Sequence, residues 1–531
     1  MKSVNSKNRP ALAKRASLRR RRLVAPLLLV ALACGLLAGN LARTRAAAQD
    51  AGQKKGGASA AADGKGAGRT RATRPDAAKP AGVKRPGGAV PLDALGCTKP
   101  EGTITIGGTS NGFLGDSNDC RLQVDDTFYD AYTFQGTAGQ FVTITMNAPS
   151  GGIDPFLYLL VPGETTLSDR TILNDDLDPD NPNQPNDTVN INSQLMGVLP
   201  ATGTYTIIAN LFPPTPSNPG RPTTGSYTLT VAGGCPATPN ITNGTQNGSL
   251  GGSDCRLPNN TSVVNANALV DIYSFTVPAG QQVSVAMSST VLDSYLYLLS
   301  TDGFTPLAVN DDGLTGGGPN NSDRGARIPA PDQGAGSGLA TLPGAGTYYI
   351  LASAFAPEQS GAYQLTLTLG STCPEQPIGV GQSANGSLAT SDCRLAFDGS
   401  FLDVYTFQGT AGQQINITMT STQFDTFLLL FDPAGFSVYE DNNGGGGTNA
   451  RIPDAAEGQF LTLQFTGTYR IFANAAAPGA TGAYTLSVGG SNVNCTVTLA
   501  QTSRQNVPAA GGQFTDNFTV PADCAVPSVA W

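Results

Sequence analysis

Across residues 97–490 apolar side chains recur every second position, the spacing of half-buried β-strands. Asp403, Tyr405 and Phe407 share one strand face. The chain turns through Gly409–Gly412 and resumes as Gln414-Ile415-Asn416-Ile417-Thr418-Met419. The same text stands at Asp271-Ile272-Tyr273-Ser274-Phe275 before Ala279-Gly280-Gln281. It stands again at Asp130-Ala131-Tyr132-Thr133-Phe134 before Ala138-Gly139-Gln140. The pattern divides the chain into three repeats, residues 97–234, 235–372 and 373–490.

Each repeat continues in one order. An Asp-Cys-Arg-Leu block precedes the aromatic strand: Asp119–Leu122, Asp254–Leu257, Asp392–Leu395. After the turn comes a nearly continuous apolar run that opens on Asp154, Asp293 or Asp425. Such runs predict strands covered on both faces or sealed by an edge loop. An acidic loop follows: Asn174-Asp175-Asp176, Asn310-Asp311-Asp312 and Glu440-Asp441-Asn442-Asn443. Two closing strands carry Tyr205, Tyr348 and Tyr469, then Tyr227, Tyr363 and Tyr484. Seven or eight short strands per unit, without an amphipathic helix, predict an all-β chain of tandem antiparallel β-sandwiches.

Composition agrees with that fold. Charged residues are only 13%, against 65 Gly and 37 Pro. Residues 1–90 hold 20 Lys+Arg and 3 Asp+Glu; residues 91–531 hold 11 and 36, a net charge of −25. So acidic a body repels nucleic acid and anionic membranes and attracts divalent cations. The chain has no His, which removes Ser-His-Asp and Cys-His catalysis and every His-ligated metal. Paired carboxylates remain as glycosidase chemistry, but three copies of one carboxylate pattern argue for a structural role.

The N-terminus reads as an export signal over residues 1–48. Arg19–Arg22 precede the apolar run Leu23–Leu37, and Ala46-Ala47-Ala48 offers a cleavage site. The run is short for a membrane span, so no stable span is expected after cleavage. An uncleaved anchor is the alternative. Residues 49–96 read as a disordered basic linker. Loss of Cys34 with the signal leaves Cys97/Cys120, Cys235/Cys255, Cys373/Cys393 and Cys495/Cys524. One pair per repeat predicts disulfides within repeats, in an oxidising compartment. The repeats are expected to fold independently.

The Asp-x-Tyr-x-Phe, Ala-Gly-Gln, Asp-x-x-Leu, Asn-Asp-Asp and Gly-Thr-Tyr blocks, in that order, resemble the bacterial pre-peptidase C-terminal domain (PPC) family across residues 97–490. The resemblance implies jelly-roll-like sandwiches without catalytic activity. Such domains follow secreted peptidases, and some relatives bind calcium or extracellular matrix. No peptidase pattern precedes the repeats, which argues against a proteolytic role. Residues 491–531 resemble the opening of a BACON-like domain, as a truncated gene product would.

Three functional expectations follow. The acidic loops, with the Asp that opens the preceding strand, are candidate structural calcium ligands: Asp154, Asp175, Asp176, Asp293, Asn310, Asp311, Asp312, Asp425 and Asp441. Ordinary Asp/Asn/Gly turn chemistry is the alternative. Asp130, Asp271 and Asp403 share a face with core aromatics and need partners, for which Arg121, Arg256 and Arg394 are the expected ion pairs. The chain is expected to be a secreted or surface-bound binding and adhesion array, not an enzyme. Its ligand would be extracellular matrix, cell envelope or glycan. The alternative is a calcium-dependent accessory module of a secreted hydrolase system.

Overall fold

A computed structural model describes residues 90–91 and 102–491, apart from 116–118, 123–125, 151, 175–191, 213–221, 259–264, 312–323, 330–337 and 457. The export signal, Cys97, Cys495 and Cys524 lie outside the described residues, as do the basic linker apart from Val90–Pro91, the BACON-like segment after Ser491, and Asp175, Asp176 and Asp312. Among the described residues every regular element is a strand.

The second repeat shows the frame in full. One sheet orders Cys255–Arg256, Leu269–Val277, Gly346–Ala354, Ser294–Leu299 and Pro306–Asn310. The facing sheet places Gly361–Thr372 between Gly244–Leu250 and Gln281–Ser288, with Ala326–Ile328 and Ala340–Thr341 on the far side of Gln281–Ser288. All these pairings are antiparallel. That makes ten strands rather than seven or eight, because segments of two or three residues also pair. The third repeat keeps the same neighbours: Cys393–Arg394, Phe401–Gly409, Gly467–Ala475, Thr426–Phe431 and Ser437–Asp441 in one sheet, Gln382–Leu388, Gly482–Ser491 and Gln414–Thr420 in the other.

The alternation places Tyr273 and Phe275 in the core with Val283, Val285, Leu296 and Tyr348. The doubly buried strands are as the pattern predicts: Pro155–Leu160, Ser294–Leu299 and Thr426–Phe431 are buried at all six positions. Their outer faces are closed by the cysteine segments. Cys255 and Leu257 pack there with Tyr295, Tyr297 and Leu299, as do Cys393 and Leu395 with Phe427, Leu429 and Phe431. Cys235 is joined to Cys255 and Cys373 to Cys393, each across 20 positions, and Cys120 is also disulfide-bonded.

Each repeat has its own main core cluster, and a few side chains cross between repeats. Phe141 and Val198 of the first repeat sit in the cluster of Cys255, Val270 and Tyr297, while Phe304 of the second enters the core of the first. The strand Gly225–Pro236 runs through the boundary at 234/235. Inter-repeat packing therefore adds to the cores of the first and second repeats.

Candidate functional site

Two sets of carboxylates recur, and the structure uses them differently. The first lies inside the sandwich. Tyr363 donates its hydroxyl proton to Asp271 Oδ2 at 2.6 Å, and Tyr484 donates to Asp403 Oδ2 at 2.6 Å. Tyr227 donates to Asp130 in the same way. A second tyrosine completes each group: the Tyr132–Tyr227, Tyr273–Tyr363 and Tyr405–Tyr484 hydroxyls lie 2.9, 2.7 and 3.0 Å apart. The partner of the core carboxylate is thus tyrosine and not the expected arginine. Arg121 pairs with Asp126, Arg256 pairs with Glu358, and Arg394 covers the Phe401 ring. A half-buried carboxylate needs a donor that brings no second charge to desolvate, and a phenol on the facing sheet supplies it.

Burial pushes the Asp271 and Asp403 carboxyls above their ordinary range, and the Tyr hydrogen bond only partly offsets it. Burial and the bonded carboxylate together push Tyr227, Tyr363 and Tyr484 far up. The phenols stay protonated, so these groups brace the two sheets and have no proton to exchange near neutrality. The sequence carried a signal for them, Asn-Gly-x-Leu before each Asp-Cys-Arg-Leu block. A methyl added at Gly112, Gly248 or Gly386 would lie 2.2 Å from the phenol ring of Tyr227, Tyr363 or Tyr484, so only glycine admits the ring.

The second set lies where the doubly buried strand begins and its hairpin partner ends. Pairing aligns the repeats here: Asn174 opposes Leu157, Asn310 opposes Leu296, and Asp441 opposes Leu428. Asn174 donates to the Gln194 carbonyl and Asn310 to the Arg327 carbonyl, each at 2.6 Å. Asp441 instead accepts the N–H of Arg451 at 2.7 Å and of Gly444 at 2.8 Å. All three clamp the hairpin end to the neighbouring strand of the facing sheet. The side chain decides only whether a carbonyl or an N–H is held.

The next position is different. Asn442, with its amide turned to suit its neighbours, donates to Asp425 Oδ1 at 3.3 Å and accepts from Asn443. The acidic loop therefore returns to the Asp that opens the strand, as expected. Burial raises the Asp425 carboxyl above its ordinary range. In the second repeat the equivalent residues are Asp293 and Asp311, two carboxylates where the third repeat has a carboxylate and an amide. Asp154 is their counterpart in the first repeat and is buried. Among the described residues no three acidic or cysteine side chains gather as a metal group.

With that geometry in place, sequence comparison is decisive for two segments. Residues 128–210 and 269–354 match the bacterial pre-peptidase C-terminal domain. They span the aromatic strand to the Gly-x-Tyr strand of the first and second repeats, so the PPC resemblance holds there, and PPC domains are non-catalytic modules. No curated protein matches the chain. Among solved structures, the PPC domain of a collagenase from Bacillus anthracis aligns at 17% identity over 22% of this chain and 98% of its own, with a TM-score of 0.18. PliG of Aeromonas hydrophila, a periplasmic inhibitor of g-type lysozyme, aligns at 15% over 22% and 100%, with a TM-score of 0.16. Tripeptidyl peptidase 2 aligns at 8% over 78% and 36%, with a TM-score of 0.17. Similarity this low carries no functional argument.

Proposed function

We propose that this chain is an exported, non-catalytic binding and adhesion array whose PPC-like sandwiches present surfaces to a matrix, cell-envelope or glycan ligand. The observation that carries it is the use of the recurring polar groups. The Asp–Tyr–Tyr sets brace the sheets and the Asn/Asp clamps fix the hairpin ends, so the motifs that repeat build scaffold. A chain without His lacks the commonest acid–base side chain, and the recurring core carboxylates are held by phenols. The disulfides suit an oxidising, extracellular setting. Probing glycan and matrix-protein arrays with the purified chain tests the reading. Retention of a ligand without turnover supports it, and hydrolysis of any array member overturns it.

One observation favours a calcium-dependent accessory module as the second reading. The third repeat meets Asp425 with the Asn442 amide, whereas the second carries carboxylates at both aligned positions, Asp293 and Asp311. Carboxylates offer the hard oxygens that calcium prefers, and calcium accepts irregular oxygen cages. Asp293 and Asp311 would supply part of such a cage and contribute hard, anionic oxygens to it.

A further inference from the structure

Each repeat meets the next through the same two segments. One is the stretch just ahead of the Gly-x-Tyr strand, residues 197–201, 341–345 and 462–466. The other is the connection that leaves the doubly buried strand, residues 161–171, 300–305 and 432–436. Between the first and second repeats, Val198 N–H donates to the Gly303 carbonyl at 2.9 Å. Between the second and third, Gly344 lies on Ala434 and Gly435, where an added methyl would stand 2.6 Å from the Gly435 Cα. Between the third and the first, Asp169 N–H donates to Gln464 Oε1 at 3.1 Å. The relation is head-to-tail each time, and it returns to its start after three steps. A heterologous interface that closes makes a ring.

The closing joint differs from the other two. A linker ties the first repeat to the second and the second to the third, and the first joint also buries Phe141, Val198 and Phe304 across it. No linker spans the joint between the third repeat and the first. Its chemistry is correspondingly stronger. Arg170 Nε lies 2.5 Å from Asp432 Oδ2, and its guanidinium sits 3.7 Å from the centroid of Phe465. The Asp432 side chain is 0% exposed, and its other oxygen accepts the N–H groups of Ala434 and Phe436. Opening the joint would leave that carboxylate without its cation and bare two complementary faces.

We propose that the three repeats form a closed ring latched by Arg170 on Asp432, and that an opened latch re-pairs with a second copy of this chain. Each bared face fits only the opposite face, and a second copy carries it. The net charge of −25 over residues 91–531 opposes such pairing while the ring is shut.

The test uses the full chain after signal removal. Asp169→Cys with Gln464→Cys, treated with a short bismaleimide, should give an intrachain link in a compact monomer by light scattering and small-angle X-ray scattering. Adding Arg170→Ala should enlarge the radius of gyration, cut the intrachain link several-fold and produce interchain links that rise with concentration. Asp432→Asn keeps the acceptor for Ala434 and Phe436, so it decides the matter if the alanine variant fails to fold. Absence of the intrachain link in the otherwise unaltered chain overturns the ring. A compact, fully linkable monomer in the Asp432→Asn variant overturns the latch.

Discussion

The second and third repeats share one frame and part company at one strand end. In both, a tyrosine from the facing sheet holds the core carboxylate at 2.6 Å. In both, the hairpin end is clamped to the same neighbouring strand, by Asn310 through a carbonyl and by Asp441 through an N–H. One position further on, the third repeat pairs Asp425 with an amide, and the second has Asp311 there. Positions that brace the sandwich tolerate few residue types, because each must complete a fixed hydrogen bond in a half-buried place. A position at the rim is free to exchange a carboxylate for an amide, and that exchange is the difference between the two strand ends.

The largest effect expected is common to both repeats. Replacing both cysteines of Cys235/Cys255, or of Cys373/Cys393, by Ser removes a cross-link over 20 positions and should cost about 3 kcal/mol. Denaturant unfolding of the two double variants should show matching losses, and a clear mismatch would break the equivalence of the frames. Tyr363→Phe and Tyr484→Phe come next, each leaving a buried acceptor unpaired at about 2 kcal/mol. A loss confined to one variant would show that the two networks are not alike. Asn310→Asp and Asp441→Asn each replace a donor by an acceptor or the reverse, at about 1 kcal/mol by the same measurement.

A pH effect should follow from Asp271 and Asp403, whose folded values lie above the ordinary 3.8. A raised acid binds its proton more readily folded than unfolded. These two groups therefore subtract from stability at neutral pH, and the loss is recovered as pH falls through their folded values toward 3.8. Thermal melts between pH 7 and 4 should show that recovery in the native chain, and Asp271→Asn with Asp403→Asn should lack it. A double variant with an unchanged pH profile would place the titration elsewhere.

Much of this was legible in the chain. Period-two alternation, the apolar runs and the paired cysteines point to the strands, their burial and the Cys235–Cys255 and Cys373–Cys393 disulfides, because each depends on neighbours close in sequence or on a repeated spacing. The partner of Asp403 was not. Asp403 and Arg394 are near in sequence and opposite in charge, yet Tyr484, 81 positions away, faces it across the sandwich. Strand pairing, not charge, sets that encounter, and the only local trace is Gly386 beneath the ring. Arg170 left no trace at all, since its role depends on the third repeat folding back to the first and no equivalent recurs in the other repeats.

The contrast between the two strand ends is tested most directly by titrating calcium into the full chain in a calorimeter. The account predicts saturable binding that Asp293→Asn with Asp311→Asn removes and that Asp425→Asn leaves intact. Binding that survives the Asp293/Asp311 variant, or no binding in the native chain, would contradict it and return the acidic loop of the second repeat to turn chemistry.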